Sequence, residues 1–528
     1  METTASSPTP IEWASERRRW SEFYAGRLAA QLEQAAVLAS RTPPEELAAH
    51  FDSFLALLNA TTGRTDLSPL WLNLVDRLHP LPVRWGQWAI WLAILNQAGP
   101  KAAALGQPGR QAEYLAYTAD LLLNSGQSAA ALANAQTALR LARQAGAAWP
   151  LCVAANAASA TLRSLARYDE AQALLDETRA VAARLAPPQP AARAAMAQAL
   201  LDLEQMDLLR YFKRLDDALA LGEQLVAKLS AVAGVDPHDV ANACLRRATI
   251  TWVRGHYQAA AGDLRRAAAL FRQAGDPLQA TFAEGNLGLV YYSMSRYQQA
   301  ETLKLAAMRA AEEVNARHVL VSELGDLGVV YIALGRMDLA LDYTNRMVKL
   351  AAELNNAAEL SRGRGNRAYA LLGLGCYREA LEDIEFSLDL YRQQGRLEGT
   401  IVTTIDLILY LRGIGQSERA AELAQENYEA AWQEDFPHLR VVTTRCLALF
   451  RPPAEQRALL EQALDLARRH ERPMDEAACL FSLSAVAANP REGDAYYEQA
   501  VALLEEMGCQ GWLAGKSRAD PPFLPLTI

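Results

Sequence analysis

The sequence predicts an all-α protein, an α-solenoid of helix hairpins with a helical cap at its N-terminal end. The first observation is a period of forty residues at which alanine recurs, at Ala260, Ala300, Ala340, Ala380 and Ala420. The second is a turn position five residues upstream, occupied by Gly255, Ser295, Gly335, Gly375 and Gly415. The third is composition, because 51% of the 528 residues are apolar in a chain rich in alanine and leucine. Such self-similarity is typical of stacked helical repeats.

Each repeat is predicted to contain two helices joined by a short turn. In the clearest unit, apolar residues recur at helical spacing over 278–294 and again over 297–314. Asp276 can cap the first helix, and Pro277 suits the first helical position because no needed donor is lost there. Two helices joined in this way form an αα-hairpin.

Small residues mark the positions where the helices cross. A further position of the repeat holds Ala248, Gly288, Gly328 and Ala368. Two helices approach closely only where the crossing side chain is Gly or Ala, so Gly288 and Ala300 are predicted contact points. Because one hairpin cannot bury its own apolar face, neighbouring hairpins are predicted to stack.

This pattern resembles the tetratricopeptide repeat (TPR). The segment 286–292, with Tyr297 and Ala300, carries the resemblance, which recurs in phase around Gly328 and Tyr377. The period is forty residues rather than the usual ~34, as in the long-repeat TPRs of bacterial peptide-sensing and signalling regulators. The resemblance implies a right-handed superhelical α-solenoid.

The repeats divide the chain into four segments. We expect residues 1–10 to be disordered and 11–110 to form a Trp-rich helical capping region. Residues 111–510 are expected to hold about ten TPR repeats, clearest over 238–434, and 511–528 to form a proline-containing tail.

Some repeats depart from the pattern. Arg247 and Thr251 replace the usual apolar and aromatic residues of the fourth repeat, and the eighth has Ile408 where the pattern has glycine. After Ala420 the phase loosens, and we expect the last two crossings at Ala458 and Ala495.

The N-terminal region is rich in tryptophan, with six of the ten tryptophans in the first 91 residues. An aromatic, repeat-poor region at the end of a solenoid is expected to cover the exposed face of the first repeat. The alternative is a separate binding surface.

Composition argues against membranes and nucleic acids. The most apolar run, 85–95, is too short for a bilayer and contains Gln87, and no signal-peptide pattern begins the chain. The six cysteines lack paired spacing, which favours a reducing cytoplasm. The first 110 residues hold ten basic and ten acidic residues, so the net charge of −9 lies on the repeats and tail. We expect a cytoplasmic protein without membrane insertion, whose main ligand is not a nucleic acid.

No motif predicts catalysis. The segment 511–517 has three residues between its glycines, whereas a phosphate loop needs four after a strand. The pairs Cys244 and His256, and Cys446 and His438, lie in no activating or metal-binding pattern. We expect structural roles for these residues, and a protein that is not an enzyme and has no cofactor or metal site.

The TPR resemblance implies that the first helix of each hairpin lines a concave groove. Groove positions carried onto this chain are Trp252, Phe282, Leu289, Tyr292, Ser322, Val329, Ile332, Arg362, Tyr369, Leu372, Val402, Leu409 and Arg412. This apolar surface suits an amphipathic helix or an extended peptide, and the two arginines could hold its acidic groups. The alternative for each aromatic residue is a place in the core.

A polar position repeats within the same helices, at Asn286, Asp326, Asn366 and Asp406. These short side chains could bind the backbone of a peptide. The alternative is packing between repeats, where a buried side chain of this type needs a partner.

We therefore expect a non-catalytic adaptor or sensor that binds a protein or peptide in its groove. The alternative is an autoinhibited regulatory subunit of a multi-component signalling system, whose tail or N-terminal cap occupies the groove. Phe523 and Leu524 would be the tail's anchors. The sequence predicts neither the identity of the partner nor the oligomeric state.

Overall fold

The structure, a computed structural model, describes residues 10–188, 190–393, 395–433, 437–514 and 516–518, without the side chains of 10–17, 45, 437 and 438. Helices dominate these ranges, in which no β-strand occurs. Apart from Pro10, the segment predicted to be disordered lies outside the described residues, and so do the tail anchors Phe523 and Leu524.

The described part of the N-terminal region contains six helices and a 3₁₀ turn (Thr65–Leu67). The helices are α1 (Pro10–Arg41), α2 (Pro44–Ala48), α3 (Phe51–Thr61), α4 (Ser68–Leu78), α5 (Leu81–Arg84) and α6 (Trp88–Ala104).

The following helices pair into hairpins. They are α7 (Pro108–Asn124) with α8 (Ser128–Ala145), α9 (Ala148–Ser164) with α10 (Tyr168–Ala182), α11 (Ala191–Tyr211) with α12 (Leu215–Ala231), α13 (Pro237–Val253) with α14 (Tyr257–Gln273), α15 (Pro277–Ser293) with α16 (Tyr297–Glu313), α17 (Arg317–Ala333) with α18 (Met337–Glu353), α19 (Ala357–Gly373) with α20 (Tyr377–Gln393), α21 (Leu397–Gly413) with α22 (Ser417–Gln433), α23 (Pro437–Ala448) with α24 (Pro453–Arg469), and α25 (Pro473–Ala485) with α26 (Pro490–Glu506).

The repeat turns adopt the left-handed backbone conformation. The φ angles are +79° at Gly255, +74° at Gly335, +76° at Gly375 and +84° at Gly415, and Ser295 takes +57°. Glycine reaches this region without a Cβ penalty, which explains its recurrence after the first helix of a hairpin. The five alanines of the forty-residue period are fully buried. The turn position and the recurring alanine therefore have the structural roles that the sequence predicts.

The predicted helix boundaries in the clearest repeat are correct to within one residue. Helix α15 spans Pro277–Ser293 and α16 spans Tyr297–Glu313. The backbone N–H of Gln279 donates to Asp276 Oδ1 at 2.8 Å, so Asp276 caps α15 as expected.

The crossings predicted at Ala458 and Ala495 are wrong, because both side chains are exposed. Ala463 in α24 and Ala500 in α26 are fully buried instead. Helices α24 and α26 start 36 and 37 residues after the preceding second helix rather than forty, which shifts the buried face.

The chain divides into two compact units, 1–283 and 284–528, with the boundary inside α15. In the N-terminal unit, α6 packs along α7, the first helix of the first hairpin. The cap also reaches the fourth hairpin, where the buried guanidinium of Arg84 donates to Asp236 Oδ2 at 2.6 Å and to the Ala274 carbonyl at 3.1 Å. Pro44 lies against Gly275, where an added Cβ would be 2.9 Å from the Pro44 Cβ.

In the C-terminal unit, the last hairpin shares one hydrophobic core with α16, α17 and α18. A 3₁₀ turn, Gln510–Leu513, follows this hairpin and packs on the turn between α17 and α18. There the Trp512 indole Nε1 donates to the Ala333 carbonyl at 3.0 Å. The last hairpin and the 3₁₀ turn therefore fold back onto the unit's early hairpins.

We expect Gly335→Ala to release this 3₁₀ turn. A Cβ at Gly335 would lie 2.8 Å from the Trp512 nitrogen and 2.9 Å from the Gly511 carbonyl carbon, which are backbone atoms. The control is Gly375→Ala, which has a similar φ of +76° and open space around the added Cβ. Both changes carry the left-handed penalty of about 1 kcal/mol, but amide exchange across 507–514 should accelerate only in Gly335→Ala. Equal exchange in the two variants would contradict the docking contact.

Candidate functional site

The first helices of the hairpins form the inner row of each unit. In the N-terminal unit α7 packs on α9, α9 on α11 and α11 on α13. In the C-terminal unit α17, α19, α21, α23 and α25 contact each other in the same succession. The second helices of successive hairpins contact each other less. A row of helices that is closer together lies on the inner side of a bend, so the first helices present the inner surface.

The thirteen candidate groove residues differ in exposure. Phe282 and Ile332 belong to the core, with 8% and 7% of their surface exposed, and Arg412 is exposed. The others are half-buried: Trp252, Leu289, Tyr292, Ser322, Val329, Arg362, Tyr369, Leu372, Val402 and Leu409. Half-burial places these ten at the boundary between core and surface.

Tyr292 and Arg362 are among the candidates that have close partners within the protein. Tyr292 packs against the hydrophobic core that includes Cys509, and burial raises the pKa of its hydroxyl. The Arg362 guanidinium contacts Asp326 at 2.9 Å and Glu359 at 2.8 Å. A ligand carboxylate at Arg362 would therefore compete with two carboxylates of the protein.

Arg362 belongs to a buried ionic network centred on Lys304, which is 1% exposed. The Lys304 ammonium lies 2.7 Å from Asp326 Oδ2 and 3.1 Å from Glu323 Oε2. Burial alone would lower the pKa of Lys304, but the Asp326 and Glu323 carboxylates outweigh it and hold this pKa above its usual value. Burial raises the pKa of Glu323 to about 7. The aliphatic stem of Lys304 passes over the helix crossing, where a Cβ added at Gly288 would lie 3.2 Å from Lys304 Cγ.

The repeated polar position has no single role in the structure. Asp326 is part of the Lys304 network. Asp406 is 5% exposed, and burial raises the pKa of its carboxyl well above the usual value. The Asn366 amide nitrogen is buried without a hydrogen-bond partner in the described part of the chain, and Asn286 is half-buried. Peptide binding by this column stays a prediction.

The N-terminal unit contains two cavities that the sequence does not predict. The first, which we name the cap cavity, has a volume of about 1050 Å³ and is lined by α1 and α4 of the cap and by the start of α7, α9 and α11. The second, the inner cavity, has a volume of about 500 Å³ and is lined by α5 and the inner helices α7, α9, α11 and α13. Volumes in this range suit a small molecule or a short peptide.

The two cavities share His79, Tyr117 and Trp149 as lining residues. The His79 ring stacks on Tyr117 with centroids 3.8 Å apart, and its Nδ1 accepts a hydrogen bond from Trp91 Nε1 at 3.0 Å. Burial lowers the pKa of His79 to about 3, so this imidazole is neutral. The shared wall is therefore aromatic and uncharged.

Arginines dominate the lining of the cap cavity. Arg110 pairs with Asp76 at 2.7 Å, and Arg193 pairs with Glu113 at 3.3 Å. The Arg193 guanidinium also lies over the Trp149 ring, 4.6 Å from its centroid. Two further arginines of the lining, Arg41 and Arg77, form no ion pair among the described residues.

The inner cavity is lined by acidic and basic side chains in equal number, Asp120, Asp236 and Asp239 with Arg84, Arg246 and His238. Arg84 pairs with Asp236. Arg246 pairs at 3.2 Å with Glu204, which is not one of the lining residues. Asp120, the last acidic residue of α7, has no ion-pair partner in the ranges that the structure describes. Burial, reinforced by the Glu204 carboxylate, raises the pKa of Asp120 to about 7.

The sequence predicts neither cavity, because the lining residues follow no repeat. A weak signal was present, since Asp120 and Asn124 interrupt an otherwise apolar stretch of a first helix, and Asn156 does so in the next one. The cap's contribution, through Arg41, Arg77 and Arg84, has no counterpart in the periodic pattern.

Two other properties bear on function. No helix of the described residues is long and apolar enough to cross a bilayer. No group of three or more His, Cys, Asp and Glu side chains in the described ranges is arranged to hold a metal ion.

No protein-family profile and no curated protein matches this sequence. Among solved structures, a Rap protein complexed with Competence and Sporulation Factor matches 68% of this chain and 99% of its own, with 12% identity and a TM-score of 0.54. The apo quorum sensor NprR from B. thuringiensis matches 66% of this chain and 97% of its own, with 15% identity and a TM-score of 0.49.

Aspartyl phosphate phosphatase F from Bacillus subtilis matches 66% of this chain and 93% of its own, with 12% identity and a TM-score of 0.45. At this identity the likeness concerns the fold. The chain has the TPR-type α-solenoid fold that its repeats predict.

Proposed function

We propose that this chain is a non-catalytic, cytoplasmic sensor or adaptor that binds a peptide along the first helices of its hairpins. The observation that carries the proposal is the inner cavity, which four successive first helices line in the N-terminal unit. The curvature of stacked repeats creates concave surfaces of this kind, which repeat proteins use for binding.

The hydrogen-bonding groups of the inner cavity support a peptide ligand. The side-chain amides of Asn124 and Asn156 line it and have no hydrogen-bond partner within the described part of the chain. An amide side chain offers a donor and an acceptor, which matches the backbone of an extended peptide. The similar Rap structure was solved with a bound factor, which agrees with a binding role.

The half-buried apolar residues of the C-terminal unit are the second part of the proposal. Tyr369, Leu372, Val402 and Leu409 lie on adjacent first helices, α19 and α21, and are half-buried. They could hold apolar anchors of a longer ligand. Arg412, which is exposed at the end of α21, could contact its acidic groups.

The test is selection of peptides from a random hexapeptide library with free termini, read by mass spectrometry. We expect the full chain to enrich a defined set, and Asn124→Ala/Asn156→Ala to lower retention about tenfold or more, the equivalent of ~1.4 kcal/mol. Gln136→Ala/Gln258→Ala is the matched control, because both amides are exposed on second helices. Tyr369→Ala/Leu409→Ala tests the C-terminal unit separately. Failure of the wild-type chain to enrich any peptide would overturn the proposal.

The second candidate is the autoinhibited regulatory subunit. A specific observation favours it: the cap segment around α5 already lies at the inner cavity, with Val83 and Arg84 in its lining. If this segment is the resting occupant, its release raises ligand affinity. If it is a wall of the site, its release lowers affinity, and this is the outcome that we expect.

A further inference from the structure

The two cavities of the N-terminal unit differ in charge. The lining of the cap cavity includes four arginines, Arg41, Arg77, Arg110 and Arg193, against two carboxylates, Asp76 and Glu113. The lining of the inner cavity includes three basic side chains, Arg84, Arg246 and His238, and three aspartates, Asp120, Asp236 and Asp239. A surface of this kind attracts a ligand that carries both charges.

The charges that a ligand could pair with in each cavity are those that the described part of the protein leaves without a counter-ion. In the cap cavity these are Arg41 on α1 and Arg77 on α4, since Arg110 and Arg193 are held by Asp76 and Glu113. In the inner cavity it is Asp120, because Arg84 and Arg246 are engaged with Asp236 and Glu204, and Asp239 lies beside His238. Arg41 and Arg77 are exposed and Asp120 is half-buried. A ligand that brings a counter-ion to these groups gains affinity through charge-assisted hydrogen bonds.

An aromatic wall separates the two sets of charges. The stacked rings of His79 and Tyr117 belong to both linings, and the neutral His79 adds no charge between them. The Tyr117 hydroxyl lies within electrostatic reach of carboxylates on both sides, Glu113 and Asp120. A ligand that satisfies Arg77 and Asp120 together must therefore carry its opposite charges at separate places along an extended chain.

We propose that the two cavities bind one short peptide in a fixed direction, with a carboxylate held by Arg41 and Arg77 and a cationic group held by Asp120. This inference rests on the proposed peptide-binding function. The carboxylate is the peptide's C-terminus or an acidic side chain, and the cation is its N-terminal amine or a basic side chain. Guanidinium and carboxylate groups form charge-assisted, bidentate hydrogen bonds, and the Asn124 and Asn156 amides bind the backbone beside Asp120.

The direction of the peptide follows from charge rather than from shape. A peptide in the opposite direction would place its carboxylate against Asp120 and its cation against Arg77, and both contacts would be repulsive. Like-charge contacts reject a wrong partner more effectively than a missing contact does. The cap thus contributes to specificity through α1 and α4.

The experiment uses the full chain and three hexapeptide pools: free termini, N-acetylated and C-amidated. We expect the wild type to enrich peptides with a cationic group towards one end and a carboxylate towards the other. Asp120→Asn should remove the preference for the cation, and Arg77→Gln the preference for the carboxylate, each with about tenfold weaker retention. Asp169→Asn and Arg140→Gln are matched controls, since both residues are exposed on second helices and their substitution should leave the enriched set unchanged.

The outcomes separate this inference from the proposed function. Enrichment of peptides by the wild type without any charge preference would overturn the inference and leave peptide binding intact. If Asp120→Asn and Arg77→Gln both retain the peptides that the wild type enriches, the inference is likewise overturned and the proposed function is not. No enrichment of any peptide by the wild type would overturn both.

Discussion

Replacing Lys304 with methionine is expected to destabilise the C-terminal unit by about 3–5 kcal/mol. Lys304 is 1% exposed and lies between the carboxylates of Glu323 and Asp326. Methionine keeps the apolar stem that packs over Gly288 but removes the charge, which leaves buried carboxylates with only Arg362 as counter-ion among the described residues. Urea unfolding followed by circular dichroism measures the loss.

The control is Lys349→Met, because Lys349 is exposed on α18 and its replacement should change stability by less than about 0.5 kcal/mol. A second variant tests the cause. Lys304→Met/Glu323→Gln/Asp326→Asn removes the charges together and should recover part of the loss. Equal stability of Lys304→Met and the wild type would show that the ionic network does not stabilise the unit.

Replacing Arg84 with methionine is expected to lower the free energy of unfolding of the N-terminal unit by about 2–3 kcal/mol and to weaken peptide retention. The Arg84 guanidinium is buried and fixes the cap to the fourth hairpin through Asp236 and Ala274. We expect a smaller loss of stability than for Lys304→Met because Asp236 is 39% exposed and water can solvate its carboxylate after the change. Loss of this contact removes one wall of the inner cavity.

Arg27→Met is the control for Arg84, since Arg27 is an exposed arginine of the cap. Retention of the enriched peptides decides between the two candidate functions. Weaker retention by Arg84→Met agrees with a cap segment that forms a wall of the site. Stronger retention would instead identify this segment as a resting occupant and favour the autoinhibited subunit.

The forty-residue period was sufficient to predict the hairpin fold, because it records packing between neighbours in the chain. The alanine column predicts the crossings, and all five of its members are fully buried. The glycine column predicts left-handed turns, and the structure has them at Gly255, Gly335, Gly375 and Gly415. The prediction was wrong at Ala458 and Ala495, where the helices start out of phase with the forty-residue period.

The candidate site was less predictable from the sequence. The groove positions carried over from the TPR resemblance lie on first helices, but Arg362 is engaged by Asp326 and Glu359. Its position in the pattern predicts where the side chain starts, whereas its partners depend on residues of neighbouring helices. Lys304 shows the same limit, since a lysine on a second helix gives no sign in the sequence that it is buried.

The sequence by itself determined the all-α class, the hairpin unit, its turns and most of its crossings. These features depend on contacts between residues that are close in the chain and recur with each repeat. Only the tertiary structure decided where a ligand could bind in the N-terminal unit. The cavities join Arg41 and Arg77 of the cap to Asp120 of the first hairpin and to Arg246 of the fourth. Such residues share no period, and their charges act on one another only once the cap lies across the repeats.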